Sequence, residues 1–248
     1  MATTIEVLFS PVEYDSRRDH GFAGCVCVVF DVLRATSVMV TGLAHGAVGF
    51  VPVEEISEAI RQKAKYPDAL LAGERNGLRI TAELSGGVEF DLGNSPREYA
   101  TDQIRGRTII STTTNGTRAL RACSSAGTVA VGSFLNLSAT AEWLVSLSPE
   151  RLCLVCAGTG QLTAWEDVVC AGALVDALPE ASLTDAALIA RSAYCAAEAN
   201  LLKTVSLSQN ARRLLANPEL QADVEFCLRR NVHNFVARLG DGGVVQRV

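Results

Sequence analysis

Short runs of consecutive apolar residues alternate with stretches of helical periodicity along most of this chain. Residues 5–9, 25–30, 49–53, 70–72, 108–110, 128–131 and 151–155 read as strands. The run Cys25-Val-Cys-Val-Val-Phe30 has no polar interruption, as a strand covered on both faces requires. Between the runs lie helical patterns. Residues 35–45 follow Asp31, and residues 54–66 carry Ile56, Ala59, Ile60 and Lys63 at helical spacing. Further helices are expected after Thr117 as N-cap, over 137–147, and over 165–178, where Val168, Ala171, Gly172 and Val175 share a face. The tail is helical at 185–199, 206–215 and 219–230, and 10–24 and 75–91 read as loops. Ser95-Pro96 marks a helix start, with Ser95 as cap and proline at the first helical position. Strand–helix alternation predicts an α/β fold with a largely parallel sheet, flanking helices and a helical C-terminal part. No repeat or long linker divides the chain. It reads as one unit over 1–248, or as two lobes with a soft boundary near 125–150.

Composition sharpens this picture. With 248 residues, 48% of them hydrophobic, and a mean hydropathy of +0.22, a sizeable core is available. Aromatics are only 6%, so Val, Leu, Ile and Ala must fill it. The net charge of −5 argues against nucleic acid or a membrane surface as partner. The first ten residues lack a basic segment followed by an apolar one, and no apolar run is long enough to span a bilayer, so a cytoplasmic location is expected. Most of the eight cysteines fall in apolar strands or helices and read as reduced, buried hydrophobes. Cys153 and Cys156 form a CxxC, but strand positions i and i+3 face opposite ways, so a shared metal is not expected.

The chemistry is concentrated where strands end. Residues 107–120 run from a buried strand into Thr112-Thr113-Thr114-Asn115-Gly116-Thr117 and then into a helix with Arg118 in its first turn. Hydroxyls, backbone N–H groups and a helix start make an anion site, although the same block also fits an ordinary capped turn. Other strand ends carry Asp31 with Arg34, Glu74 with Arg75, Asn136, and Cys156-Ala-Gly158-Thr-Gly160 followed by Glu166-Asp167. In a parallel sheet, ligands bind at the strands' carboxyl ends. Five such clusters together point to an anion beside a hard divalent metal. Each acid also has a plain reading: Asp31 as a cap, Glu166 and Asp167 as first-turn acids stabilised by the helix dipole. His20, His45 and His233 are scattered and do not make a metal motif. Nucleotide loops, a nucleophile elbow, and the sequence signatures of cysteine-dependent, histidine and haloacid-dehalogenase phosphatases are missing.

With those residues laid out, the chain resembles the 2-phosphosulfolactate phosphatase family of coenzyme M biosynthesis. The carrying motifs are Asp31-Val-Leu-Arg-Ala-Thr, Gly73-Glu-Arg, Asp91-Leu-Gly-Asn-Ser-Pro, Thr112-Thr-Thr-Asn-Gly-Thr-Arg-Ala-Leu, Gly132-Ser-Phe-Leu-Asn, Cys156-Ala-Gly-Thr-Gly and Glu166-Asp-Val-Val-Cys-Ala-Gly. Asp223-Val-Glu-Phe-Cys in the tail fits more weakly. The segment 79–89 is longer than the family's link, and Gln161 stands where a second glycine is expected. The resemblance implies a Mg2+-dependent phosphomonoesterase that releases 3-sulfolactate and phosphate. It implies Asp31, Arg34, Glu74, Arg75 and Asp167 as catalytic residues. Metal ligation falls to Asp31, Glu74, Glu166 and Asp167, with Asp31 equally open as ligand, base or nucleophile. Substrate contacts fall to Asn94, Ser95, Thr113, Thr114, Asn115, Gly116, Thr117, Arg118, Cys156 and Gly158. A substrate with phosphate, carboxylate and sulfonate suits Arg34, Arg75, Arg97 and Arg118. The partner is then a small anionic substrate, with neither nucleic acid nor membrane involved, and a homodimer is the assembly expected. The rival reading is a non-catalytic sensor of a phosphorylated or sulfonated metabolite; three acids beside an anion argue against it.

Overall fold

The computed structural model describes residues 3–19, 21–178 and 180–248; the expectation for His20 lies outside them. The strands are β1 (Thr4–Leu8), β2 (Val26–Phe30), β3 (Gly49–Val53), β4 (Leu70–Arg75), β5 (Leu78–Arg79), β6 (Thr108–Thr112), β7 (Thr128–Gly132), β8 (Arg151–Cys156), β9 (Ser182–Leu183), β10 (Ala237–Leu239) and β11 (Val245–Arg247). The helices are α1 (Pro11–Asp15), α2 (Ala35–Ala44), α3 (Ile56–Lys63), α4 (Ala82–Ser85), α5 (Gly116–Ala122), α6 (Leu137–Leu147), α7 (Trp165–Asp176), α8 (Asp185–Ala197), α9 (Leu201–Val205), α10 (Gln209–Leu215) and α11 (Gln221–Cys227). The fold is α/β with a large, mostly parallel sheet, as the alternation predicts.

The sheet order is β5-β4-β6-β3-β11-β10-β7-β2-β8-β1-β9. β4, β6 and β3 run parallel to one another, as do β7, β2, β8, β1 and β9. The C-terminal hairpin β10–β11 joins the two groups, antiparallel to β7 on one side and to β3 on the other. Two antiparallel contacts and the hairpin itself make three reversals, so the two parallel groups have opposite sense. The strand ends that carry the chemistry therefore do not lie along one edge, as they would in a wholly parallel sheet. Five steps separate β2 from β6 in this order. A twist of about 20–25° per step turns them through roughly 100–125°. That rotation lets strands of opposite nominal sense aim their carboxyl ends at one region.

The core divides into apolar clusters on the two faces of the sheet. Val28, Leu154 and Cys156 pack with α7 and α8 in one, while Cys27, Val29 and Cys153 pack with α2 and α5 in another. The two cysteines of the CxxC thus face opposite ways, and the described cysteines are all free thiols. α2 is buried along nearly its whole length, which explains its Ala-Thr-Ser-Val-Met-Val sequence without charge. The loop expected over 75–91 contains β5 and the single turn α4. Val245 and Ala237 of the hairpin are fully buried, at a seam that sequence periodicity does not mark. No helix among the described residues is long and apolar enough to cross a membrane.

Candidate active site

Four carboxylates lie at or just beyond the ends of β2, β4 and β8. Asp31, Glu74, Glu166 and Asp167 are 8, 6, 1 and 1% exposed. Among the described residues none of them forms an ion pair with lysine or arginine. Buried charge without a counter-charge is costly. Burial chiefly, with help from Glu74 and Glu166, pushes Asp31 up from 3.8 to about 7, against the backbone N–H of Ala35. Burial, then Glu166 and Asp31, hold Asp167 well above the carboxylate range.

Their oxygens are used differently. Asp167 accepts from Val32 N–H at 2.8 Å and Gly158 N–H at 3.1 Å, tying together the loops that follow β2 and β8. Gly158 holds φ +73°, a left-handed backbone that glycine allows at little cost. Glu74 accepts from both the N–H and the hydroxyl of Thr114 at 2.8 Å, and from Gly77 N–H at 2.7 Å. These two acids brace loops. Asp31 accepts from Ala35 N–H at 3.3 Å, and Thr36 closes its backbone in both directions. Glu166 Oε1 accepts from Asn210 Nδ2 at 2.7 Å, while Oε2 is buried without a partner. A cleft of about 480 Å3 opens at Glu166, lined also by Thr159, Trp165, Ser208, Asn210 and Arg212.

The Thr-rich block meets this cluster from the other half of the sheet. A Cβ on Gly116 would fall 2.7 Å from Asp31 Oδ2 and 2.6 Å from Ala35 Cβ. Gly116 is therefore required for close approach to the acids, not to an open anion pocket. Asn115, rather than the expected Thr117, is the N-cap of α5. Asn115 Oδ1 accepts from Gly160 N–H at 3.2 Å, which leaves its amide N–H2 group without a partner among the described residues. Thr117 is fully buried; its hydroxyl accepts from Thr113 N–H at 3.1 Å and donates to Thr113 O at 2.8 Å, and its own N–H donates to Thr113 Oγ1 at 3.2 Å. That hydroxyl is spent inside the turn.

The arginines expected to meet the substrate are engaged by protein groups. Arg34 pairs with Asp223 at 2.7 Å and donates to Gly77 O at 2.6 Å. Arg97 pairs with the same Asp223 at 2.8 Å, and Ser95 Oγ donates to it at 2.7 Å. Arg75 spans Glu74 O, Thr112 and Glu54 O, and Arg118 pairs with Asp15. Asn94 is buried nearby. Cys156 packs in the core, and burial, helped by the nearby Asp167, pushes its thiol far up, so it is kept protonated. His45 and His233 stand against each other, ring centroids 6.4 Å apart, at the end of α2 remote from Asp31.

Asp223 carries little weight in the sequence and Asn210 none. An acid on the apolar face of a helix flags Asp223; nothing local flags Asn210. Metal fit rests on the donor set. No three His, Cys, Asp or Glu side chains among the described residues form a ready cage. Mg2+ needs no such cage, because it retains waters and uses one or two carboxylates plus substrate phosphate. The unpartnered Glu166 oxygen and the uncompensated Asp31 fit that pattern, with hard oxygen donors and a charge to be offset.

The model of the family described as 2-phosphosulpholactate phosphatase matches residues 12–242. The chain belongs to the 2-phosphosulfolactate phosphatase family. Relatives carrying the name "Probable 2-phosphosulfolactate phosphatase" occur in several bacteria. That of Caldicellulosiruptor saccharolyticus is 39% identical over 88% of this chain and 90% of its own. That of Thermotoga petrophila is 41% identical over 87% and 89%, and that of Clostridium acetobutylicum 34% over 94% and 97%. The match to the 2-phosphosulfolactate phosphatase family runs from β2 to β10, reaching strands of both parallel groups and leaving out β1 and β11.

Proposed function

We propose that this chain is a Mg2+-dependent phosphoric monoester hydrolase acting on a small polyanionic phosphoester, 2-phospho-3-sulfolactate being the best fit. The observation that carries the reading is the group of four buried, ion-pair-free carboxylates beside a donor-rich turn, in a chain of this family. A sensor of anions gains nothing from such acids, since each repels its ligand. Asp31 and Glu166 are the carboxylates with capacity to hold the cation, because Glu74 and Asp167 use both oxygens on loop donors. When bound, Mg2+ neutralises phosphoryl oxygens and makes a coordinated water more acidic.

The chain's own groups set the geometry around that centre. The free amide N–H2 of Asn115 suits a phosphoryl oxygen, and Asp167 and Glu74 hold the surrounding loops fixed. Asn210 orients Glu166 and bonds Thr159 Oγ1 at 2.6 Å on the cleft wall. Fixed dipoles of this kind stabilise charge without rearranging during the reaction. The test is phosphate release from 2-phosphosulfolactate with Mg2+ and with a chelator. Release that requires the cation is expected; release unchanged by chelation, or no release, refutes the reading.

A further inference from the structure

The arginines nearest the acids are committed to protein partners, yet the substrate class proposed above brings two anionic groups besides its phosphate. Two cations at the rim, Arg212 and Arg213, form no ion pair among the described residues, and of the two Arg213 is the one bonded to a residue that holds an acid of the cluster. Arg213 of α10 is exposed and forms no ion pair among the described residues. Its Nη2 donates to Asn210 Oδ1 at 3.2 Å, and the Asn210 amide donates in turn to Glu166 and Thr159. On its other side the guanidinium lies 3.8–3.9 Å from the position of a Cβ on Gly77, the residue whose N–H holds Glu74 and whose carbonyl holds Arg34. Arg213 thus stands between the loop that anchors Glu74 and the amide that anchors Glu166.

A guanidinium has five N–H donors, and a single bond from Arg213 to protein is present. The rest form a planar fork suited to two oxygens of one carboxylate or sulfonate. We infer that Arg213 is a specificity residue of this site: it receives the second acidic group of the substrate, while the acid cluster and its cation receive the phosphate. The inference rests on the phosphatase reading for its substrate class.

The test compares wild type, Arg213→Met and Arg213→Lys in the Mg2+-loaded full chain, by kinetics and by calorimetry. The kinetic substrates are 2-phosphosulfolactate and 4-nitrophenyl phosphate, which has no second acidic group; the calorimetric ligand is 3-sulfolactate. Arg213→Met should raise KM for 2-phosphosulfolactate about 10- to 100-fold, the effect of losing a charge-assisted hydrogen bond. It should leave KM for 4-nitrophenyl phosphate within about twofold. It should weaken 3-sulfolactate binding in parallel, with Arg213→Lys intermediate because a point charge cannot replace the fork. Equal losses on both substrates, or unchanged 3-sulfolactate binding, would overturn the assignment. Phosphate release is not needed for the binding arm. A wild type that binds 3-sulfolactate through Arg213 yet releases no phosphate supports the assignment and refutes the phosphatase reading alone.

Discussion

Asp31 and Asp223 are both buried acids in this fold, with opposite consequences. Asp31 stands at the end of β2 without a cationic partner among the described residues, which suits the cation-holding role proposed for it better than a stabilising one. Asp31→Asn should keep the fold, cut Mg2+-dependent kcat by about 10²- to 10⁴-fold, the range of a lost acid–base or metal-holding group, and raise Tm in chelator at pH 8 by relieving a buried charge. Calorimetric melts and phosphate release on one preparation check this; near-normal kcat would contradict it. Asp223 instead anchors Arg34, Arg97 and Ser95. Asp223→Ala strands a buried guanidinium and should cost about 3–5 kcal/mol in denaturant unfolding. It should also lower kcat, since Arg34 no longer fixes Gly77 and through it Glu74. Asp31 and Glu74 stood out in the sequence because each comes at the end of an apolar run, and Glu166 and Asp167 because they open the helix after β8. The arginines' protein partners were not legible, because the one that pairs with Arg34 lies 189 residues away, beyond any local pattern.

At the scale of elements, strands buried on both faces were plain from their composition, and β3 falls on the residues expected of it, Gly49–Val53. The hairpin β10–β11 was missed because three-residue strands carry too little periodicity to register. Yet it is the seam of the sheet. Val245→Asp should therefore lower the urea midpoint sharply with an unchanged m-value, since an unpaired charge replaces a buried side chain worth about 1.5–3 kcal/mol. A shift too small to measure would show that the seam is dispensable. The turn into α5 separates its two readings cleanly. Gly116→Ala should reduce kcat by displacing Asp31, with an overpacking cost of about 1–3 kcal/mol. Thr117→Val should lower Tm through the lost hydroxyl bonds to Thr113 and leave KM alone. Michaelis curves and melts on both variants decide whether the block acts through its glycine, as the close contact with Asp31 implies, or through its hydroxyl.

Across the whole molecule, clustering of like charge makes stability depend on pH and cation together. Asp31 rises from 3.8 to about 7 in the folded chain, and Asp167 rises with it. A raised acid binds its proton more tightly when folded, so its contribution is complete below the unfolded pKa and is lost as pH climbs through the folded one. In chelator, Tm should fall between about pH 4 and pH 8 on this account, with saturating Mg2+ flattening the decline. Glu6, lowered mainly by its hydrogen bond to Arg17, acts in the opposite sense and loses its contribution as pH falls into the acid range. The opposed sense of the two parallel groups could not be read from sequence, because it depends on where the C-terminal hairpin inserts. Their convergence on one acid cluster is the feature from which the proposed chemistry follows. The most direct measurement is anomalous diffraction from a crystal of the full chain soaked with Mn2+ in place of Mg2+. The account predicts one strong peak within bonding distance of Asp31 and Glu166, absent in Glu166→Gln; a peak at other residues, or none at the acid cluster, would contradict it.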